Sequence, residues 1–162
     1  MAAMKLFVSH SSRLDDVENN CKRGDDNWRL LDDTCKAIKA HYGNRVEILV
    51  DKDGLVPGVQ WNHHLNLWIA ECHAAIILVS KRALERSDWV AKEAAILSWR
   101  AELDPRFTLI PVTLRGETTA ADLSNGFGGS IGLGATQCID GAATAEDVVA
   151  GLRRRGWEPD SL

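Results

Sequence analysis

The segment AAIILVSKRALERSDWVAKE, residues 74–93, carries the clearest indication of the fold. Its first six residues are apolar without alternation, which predicts a strand buried on both faces of a sheet. A polar segment follows, which we interpret as a loop that leads into a helix beginning near Ser87. A strand, a loop and a helix in this order place side chains in a crevice at the carboxyl edge of a parallel sheet. Glu93 comes one helical turn after Trp89, so we treat its carboxylate as the leading candidate for chemistry at that edge.

Strands and helices alternate along the rest of the chain as well. Short apolar runs predict strands at residues 5–8, 46–50, 74–79, 107–114 and 137–139. Apolar residues at spacings of three and four predict helices over residues 28–42, 61–72, 87–101, 118–123 and 145–152. Because β-α units repeat about five times, we expect an α/β fold with a parallel sheet and helices on both faces. Pro111 inside the fourth strand predicts a bulge, an edge or a strand end there.

Composition narrows the class of protein. The 162 residues are 45% hydrophobic and 26% charged, which favours one soluble globular domain. The net charge of −4 gives no reason to expect a nucleic-acid surface. Apolar runs reach about six residues, far short of the roughly 20 that span a bilayer, so we expect no membrane segment. The four cysteines form no C-x-x-C pair, which favours reduced thiols and a cytoplasmic location, with Cys35 and Cys72 in the core.

Motifs for phosphate or metal binding are incomplete. The glycine-rich residues 126–134 have Ile131 where a dinucleotide-binding loop needs glycine, and Ala135 follows where a P-loop needs lysine. Residues 51–62 begin like a calcium loop but carry Asn62 where a bidentate glutamate is required. No two histidines flank a glutamate at the helical spacing of a zinc site. We therefore expect no metal ion and interpret residues 126–134 as a flexible loop.

Polar residues stand where the first and third strands end. Ser9 and His10 follow the first strand, and Ser80 follows the third. A receiver domain has the same order of elements but needs acidic residues at these two ends, so we exclude it. Its position makes His10 a candidate ligand contact. For Glu93 two interpretations stay open: a solvated carboxylate near a helix N-terminus, or a carboxylate that stabilises an oxocarbenium-like centre or binds ribose hydroxyls.

Several stretches together resemble the Toll/interleukin-receptor (TIR) domain, over nearly the whole chain. Residues 6–12, LFVSHSS, are similar to the family's opening box. Residues 50–58, VDKDGLVPG, are similar to its second box, the BB loop. Residues 87–93, SDWVAKE, resemble the signature of the enzymatic branch, and Ile110-Pro111-Val112 resembles the fourth-strand motif. The resemblance implies a flavodoxin-like five-stranded parallel sheet in the order 2-1-3-4-5, with helices on both faces.

The resemblance also implies a domain, a substrate and a reaction. It implies a single TIR domain over residues 1–157, with residues 158–162 a tail or the start of a linker. It implies cleavage of NAD⁺ at the nicotinamide–ribose bond, with Glu93 as the catalytic residue. The products would be nicotinamide and either ADP-ribose or a cyclic isomer, so NAD⁺ is the substrate and no cofactor is expected. The residues that would line the substrate crevice are Phe7, Ser9, His10, Asp51, Ser80 and Trp89, with Phe7 or Trp89 stacking on a base or on the nicotinamide ring.

In the family the BB loop often completes a neighbouring copy's site, which implies that activity requires assembly. The matching assembly-loop residues are Asp53, Leu55, Pro57 and Gly58. The resemblance further implies a bacterial antiphage immune effector that is triggered by a sensor domain or a partner protein. Two alternatives stay open: a non-enzymatic adaptor that signals by TIR–TIR contact, and a nucleoside transferase-like enzyme of related fold. The Ser87, Trp89 and Glu93 signature favours the NAD⁺-cleaving enzyme over the adaptor.

Overall fold

The computed structural model describes residues 3–10, 26–50, 61–86, 88–125 and 138–159. Its sheet has five parallel strands in the order β2-β1-β3-β4-β5, which confirms the predicted flavodoxin-like topology. The strands are β1 (Met4–Ser9), β2 (Val46–Val50), β3 (Ala74–Val79), β4 (Thr108–Leu114) and β5 (Ile139–Ala142). The last strand therefore lies later in the chain than the predicted residues 137–139.

Helices follow the strands in the predicted alternation. They are α1 (Asp26–Tyr42), α2 (Trp61–Glu71), α3 (Lys81–Arg86), α4 (Asp88–Leu103), α5 (Ala120–Asn125) and α6 (Ala145–Arg154), with a 3-10 turn at Gly43–Arg45. Gly43 adopts a φ of +62°, the left-handed conformation that ends α1. In the part of the chain that the structure describes, no helix is long and apolar enough to cross a membrane.

Helix α3 corrects the prediction of a loop after the third strand. The Ser80 hydroxyl accepts a hydrogen bond from the Ala83 amide at 3.1 Å, and the Leu84 amide donates to the Ser80 carbonyl at 3.2 Å. Ser80 therefore acts as the N-cap of a short helix, which satisfies amides that would otherwise have no partner. The polar side chains of residues 81–86 gave this turn the composition of a loop.

The two faces of the sheet pack against different helices. On the first, the α1/α6 face, the buried strand residues include Leu6 and Val8. On the second, the α2–α5 face, they include Phe7, Ile77 and Val79. Because side chains alternate along a strand, neighbouring residues of β1 serve different cores. All six residues of β3 are buried, which confirms that this strand is covered on both sides.

Pro111 lies inside the ladder between β3 and β4, opposite Ile77. Strand β5 pairs with β4 only from Val112 onward, and an irregularity follows between Val112 and Leu114. Pro111 therefore lies in the part of β4 that pairs with β3 alone. The irregularity that corresponds to the predicted bulge comes directly after it.

Residues after α6 return to α1. The Trp157 side chain is 7% exposed and packs edge-on against the Tyr42 ring at a centroid distance of 5.1 Å. The Tyr42 hydroxyl donates to the Trp157 carbonyl at 3.3 Å, and Arg45 pairs with Glu158 at 3.7 Å. Burial raises the pKa of Tyr42 above its ordinary value. The α1/α6 core therefore extends to the last described residues.

Candidate functional site

The candidate site lies on the α2–α5 face of the sheet, where the carboxyl ends of the neighbouring parallel strands β1 and β3 lie side by side. Ser9 is the last residue of β1, pairs with Ile77 of β3, and is 1% exposed. It lies on the same face as Phe7 because the two residues are separated by one position in the strand. The apolar surface of β1 thus ends in a buried hydroxyl on this face.

Glu93 lies directly above that hydroxyl. It is the sixth residue of α4 and is 7% exposed, while its helix neighbours Ala94 and Leu97 are fully buried in the α2–α5 core. The Ser9 hydroxyl donates a hydrogen bond to Oε2 of Glu93. A hydroxyl that donates to a carboxylate forms a charge-assisted bond, stronger than one between neutral groups. The interpretation of Glu93 as a solvated helix carboxylate is therefore wrong.

Besides Ser9, three of the predicted substrate contacts have described side chains: Ser80, His10 and Phe7. Ser80 is 2% exposed and its hydroxyl caps α3, so it borders the site while supporting a helix. His10 follows β1 directly and is half-buried. Phe7 is 1% exposed within the α2–α5 core, and this burial favours a packing role over the predicted stacking on a substrate ring.

The remaining predicted residues lie partly or wholly outside the described residues. The backbone of Trp89 belongs to α4, but its side chain is not among the described ones. Asp51 and the assembly-loop residues Asp53, Leu55, Pro57 and Gly58 fall between the described ranges 26–50 and 61–86, as the glycine-rich residues 126–134 fall between 88–125 and 138–159. Their proposed roles stay predictions.

Thr118 joins the ends of β3 and β4, and it was not predicted as part of the site. Its hydroxyl donates to the Val79 carbonyl at 2.6 Å and accepts from the Leu114 amide at 2.9 Å. The residue is 5% exposed. These bonds satisfy backbone groups where the ladder stops, which fixes the strand end that carries Ser80. No sequence signal marks this threonine, because both of its partners are backbone groups and one of them is 39 residues away.

Arg100 anchors the helix that carries Glu93. Its Nη1 donates to the carbonyls of Ile69 at 2.5 Å and Cys72 at 2.9 Å, at the C-terminal end of α2. The guanidinium lies over the Phe107 ring at 4.2 Å. Burial raises the pKa of the Cys72 thiol to about 11, so this thiol is protonated and packs as a core residue, as predicted. One cation thus ties α4 to α2 and to the segment before β4.

An open cleft of about 1090 Å³ lies elsewhere, between α1 and the ends of β4 and β5. Its charged lining mixes both signs, with Arg29 and Arg115 beside Asp33 and Glu117. None of the predicted site residues lines it. Because the buried carboxylate and hydroxyls converge at β1 and β3, we place the candidate site there and not in this wider cleft.

Among the described residues, no three His, Cys, Asp or Glu side chains are grouped so that they could hold a metal ion. Within the described ranges, this edge offers the Glu93 carboxylate, buried hydroxyls such as those of Ser9 and Ser80, and the half-buried His10 side chain.

Comparisons with known proteins agree with the fold. A family model described as TIR domain matches residues 24–155. The TIR domains of the activated Roq1 resistosome, which directly recognises the pathogen effector XopQ, match with a TM-score of 0.50 and 18% sequence identity. The match covers 77% of this chain and 66% of that chain, just under two thirds of its length. At this identity the likeness supports the fold alone. A search of curated proteins finds no match.

Proposed function

The chain belongs to the TIR domain family, and from that premise we propose that it cleaves NAD⁺ at the nicotinamide–ribose bond with Glu93 as the catalytic residue. The observation that carries the proposal is the burial of the Glu93 carboxylate at the carboxyl edge of the sheet, where it accepts the Ser9 hydroxyl. Ligands of open α/β sheets bind at this edge. A carboxylate held there is preorganised for charge that develops on a bound substrate.

One carboxylate suffices for this reaction. The nicotinamide ring of NAD⁺ is cationic, so it leaves as a neutral base when the bond to ribose C1′ breaks and takes the bonding electrons. The positive charge then develops on the ribose as an oxocarbenium-like centre, which a carboxylate stabilises. Water attacks C1′ and loses a proton to give ADP-ribose, or an intramolecular nucleophile gives a cyclic isomer. No redox change occurs, so NAD⁺ is consumed as a substrate.

Assembly and an immune role complete the proposal. We propose that copies of the chain associate through residues 51–59 and that a sensor domain or partner triggers the association, so that the protein acts as an antiphage effector. The solved TIR domains that the fold resembles belong to a resistosome. The thiols of Cys72 and Cys138 form no disulfide, which supports action in a reducing compartment such as the cytoplasm.

The decisive experiment compares NAD⁺ consumption by wild type, Glu93→Ala and Glu93→Gln at high protein concentration or with a crowding agent. We expect both Glu93 variants to lose at least about 100-fold in rate, the scale for removing a group that stabilises transition-state charge. Glu102→Gln is the matched control, because Glu102 lies on the same helix and is exposed. It should retain the wild-type rate.

Two outcomes contradict the proposal in different ways. If wild type consumes no NAD⁺ while light scattering verifies its assembly, the enzyme reading fails and the non-enzymatic adaptor takes its place. If the Glu93 variants keep the full rate, the activity is real and the site assignment is wrong. Chromatographic identification of the products separates hydrolysis, cyclisation and nucleoside transfer.

A further inference from the structure

We propose that Ser9 is the positioning residue of the site: its hydroxyl fixes the orientation of the Glu93 carboxylate before substrate binds. The inference rests on the proposed function of Glu93 and assigns to Ser9 a role different from direct contact with the substrate. Three features of the two residues carry it: how Ser9 is held, how Glu93 is held, and where the single hydroxyl proton goes.

Ser9 is a rigid donor. Its backbone belongs to the ladder between β1 and β3, with Ile77 as its partner, so its Cα position is fixed by the sheet. The side chain has one rotatable bond to the oxygen, few rotamers, and 1% of its surface exposed. A short side chain on a buried strand end therefore points its hydroxyl in one direction.

Glu93 needs such a partner. Its side chain has several rotatable bonds, and a carboxylate on a helix samples several rotamers unless a contact selects one. The bond to Ser9 joins β1 to α4 across 84 residues of sequence, so it is a contact between separate elements of the fold. Most bonds of the other buried hydroxyls at this edge satisfy backbone groups: Ser80 accepts from the Ala83 amide, and Thr118 bonds to Val79 and Leu114.

The single proton of the Ser9 hydroxyl distinguishes a positioning role from hydrogen-bond donation to the substrate. A serine hydroxyl has one proton and two acceptor lone pairs. Since the proton is donated to Oε2 of Glu93, Ser9 cannot also donate to a ribose hydroxyl while it holds the carboxylate. Its removal should therefore slow the chemical step more than it weakens NAD⁺ binding.

The test is a kinetic comparison of Ser9→Ala, Ser9→Thr and wild type, in the assembled state used for NAD⁺ turnover. We expect kcat of Ser9→Ala to fall by about 10- to 100-fold with KM within about twofold, because a misplaced catalytic group loses rate and not ground-state binding. Ser9→Thr retains the hydroxyl and should recover most of the rate. Ser98→Ala removes another buried hydroxyl from α4 and is the control that keeps wild-type kinetics.

Opposite results overturn the inference. A rise in KM with kcat unchanged would make Ser9 a substrate contact, and unchanged values of both would remove any role. If Ser9→Ala does not fold, Ser9→Cys carries the comparison, since a thiol has nearly the same shape and is a much weaker donor.

An unfolding cycle keeps the inference separate from the proposed function. The denaturation midpoints of Ser9→Ala, Glu93→Ala and the double variant are measured without NAD⁺. The two single shifts should fail to add, because each variant removes the same bond. Additive shifts overturn the positioning role even in an active enzyme. If the shifts are not additive in a protein that does not cleave NAD⁺, the result supports the contact between Ser9 and Glu93 and contradicts only the proposed reaction.

Discussion

The two faces of the sheet end differently at its carboxyl edge. On the α1/α6 face, apolar side chains continue to the strand ends, with Val8, Leu78 and Leu114 all buried in one core. On the α2–α5 face two strands end in hydroxyls, with Ser9 closing β1 and Thr113 preceding the last residue of β4, while β3 ends in the apolar Val79. The same strands supply both faces. Alternation within a strand therefore separates residues that stabilise the fold from residues available for chemistry.

Burial of hydroxyls carries a cost that hydrogen bonds offset. Thr113 donates to Asp140 at 2.6 Å and accepts from the Gly141 amide at 2.8 Å, which joins β4 to β5. Such bonds stabilise strand ends. The bond from Ser9 to Glu93 joins a strand to a helix carboxylate, and a buried charge of this kind is a poor source of stability. We therefore expect substitutions in the α1/α6 core to lower mainly the stability, and substitutions of Glu93 to lower mainly the activity.

The largest effect on stability is expected from Trp157→Ala on the α1/α6 face. The substitution removes a ring that is 7% exposed and packs on Tyr42, and truncation of a buried tryptophan costs about 3–5 kcal/mol. Denaturant unfolding measures the loss, and Trp157→Phe should lose less. At a temperature where the variant is folded, NAD⁺ turnover should match wild type. A large change in kcat of the folded variant would show that packing on the α1/α6 face also affects the activity, which contradicts the expected difference between the two faces.

Glu93→Gln tests the opposite face. A loss of at least about 100-fold in rate corresponds to about 2.7 kcal/mol of barrier. The free energy of unfolding should change by less than about 1 kcal/mol, because glutamine has nearly the same size and its carbonyl accepts the Ser9 hydroxyl. Denaturant unfolding and turnover on the same samples measure both quantities. A destabilisation as large as that of Trp157→Ala would show that Glu93 is mainly structural.

Gly151→Ala tests the packing between α6 and β5 on the α1/α6 face. A Cβ at position 151 would lie 2.6 Å from Cγ1 and Cδ1 of Ile139, so the Ile139 side chain, α6 or β5 must shift. Overpacking of this kind costs about 1–3 kcal/mol, which outweighs the gain of about 1 kcal/mol in helix propensity. Thermal unfolding measures the net loss. Adding Ile139→Val removes one of the two atoms and should restore part of the stability; no recovery would contradict the steric explanation.

The smallest effect concerns the start of α6, where Thr144 and Asp147 form a capping box. Backbone amides of Ala143 and Thr144 hold the pKa of Asp147 below its ordinary value. A depressed pKa contributes stability that is present above the unfolded-state pKa of about 4 and is lost as pH falls through the folded-state pKa. Asp147→Asn should therefore lose less than about 1 kcal/mol at pH 7, and its difference from wild type should fade below about pH 4. Glu146→Gln, at an exposed neighbour, is the control in urea unfolding at both pH values.

Much of the fold could be predicted because local pattern and core position coincide. The unbroken apolar run of β3 indicated burial on both faces, and the stripe of α1 placed Cys35 and Ile38 in the core. The predicted start at residue 145 matches that of α6, where the capping bonds of Thr144 are local. Ser80 shows the limit, because a capped helix of six residues has too few turns to display a period.

The candidate site was less predictable because its contacts are distant in sequence. Glu93 was singled out by its neighbours on one helix and by the resemblance, yet its helical spacing left a solvated side chain as an open interpretation. Its bond to Ser9 depends on how α4 docks on the sheet, which Arg100 helps to fix from two turns away. Thr118 was missed because a threonine between two elements has no pattern of its own.

The strand order has a consequence for the time course of synthesis. β1 pairs with β2 and β3 and lies inside the sheet, although it is made first. Between Ser9 and Val50 roughly 40 residues must be translated before β2 is complete, which takes about 2–8 s at cellular rates of elongation. During that interval the apolar strand β1 has no native strand partner, so the sheet cannot begin to form around it. Parallel pairing between distant segments also makes refolding of the free chain slow, with the long-range closure of the sheet as the limiting event.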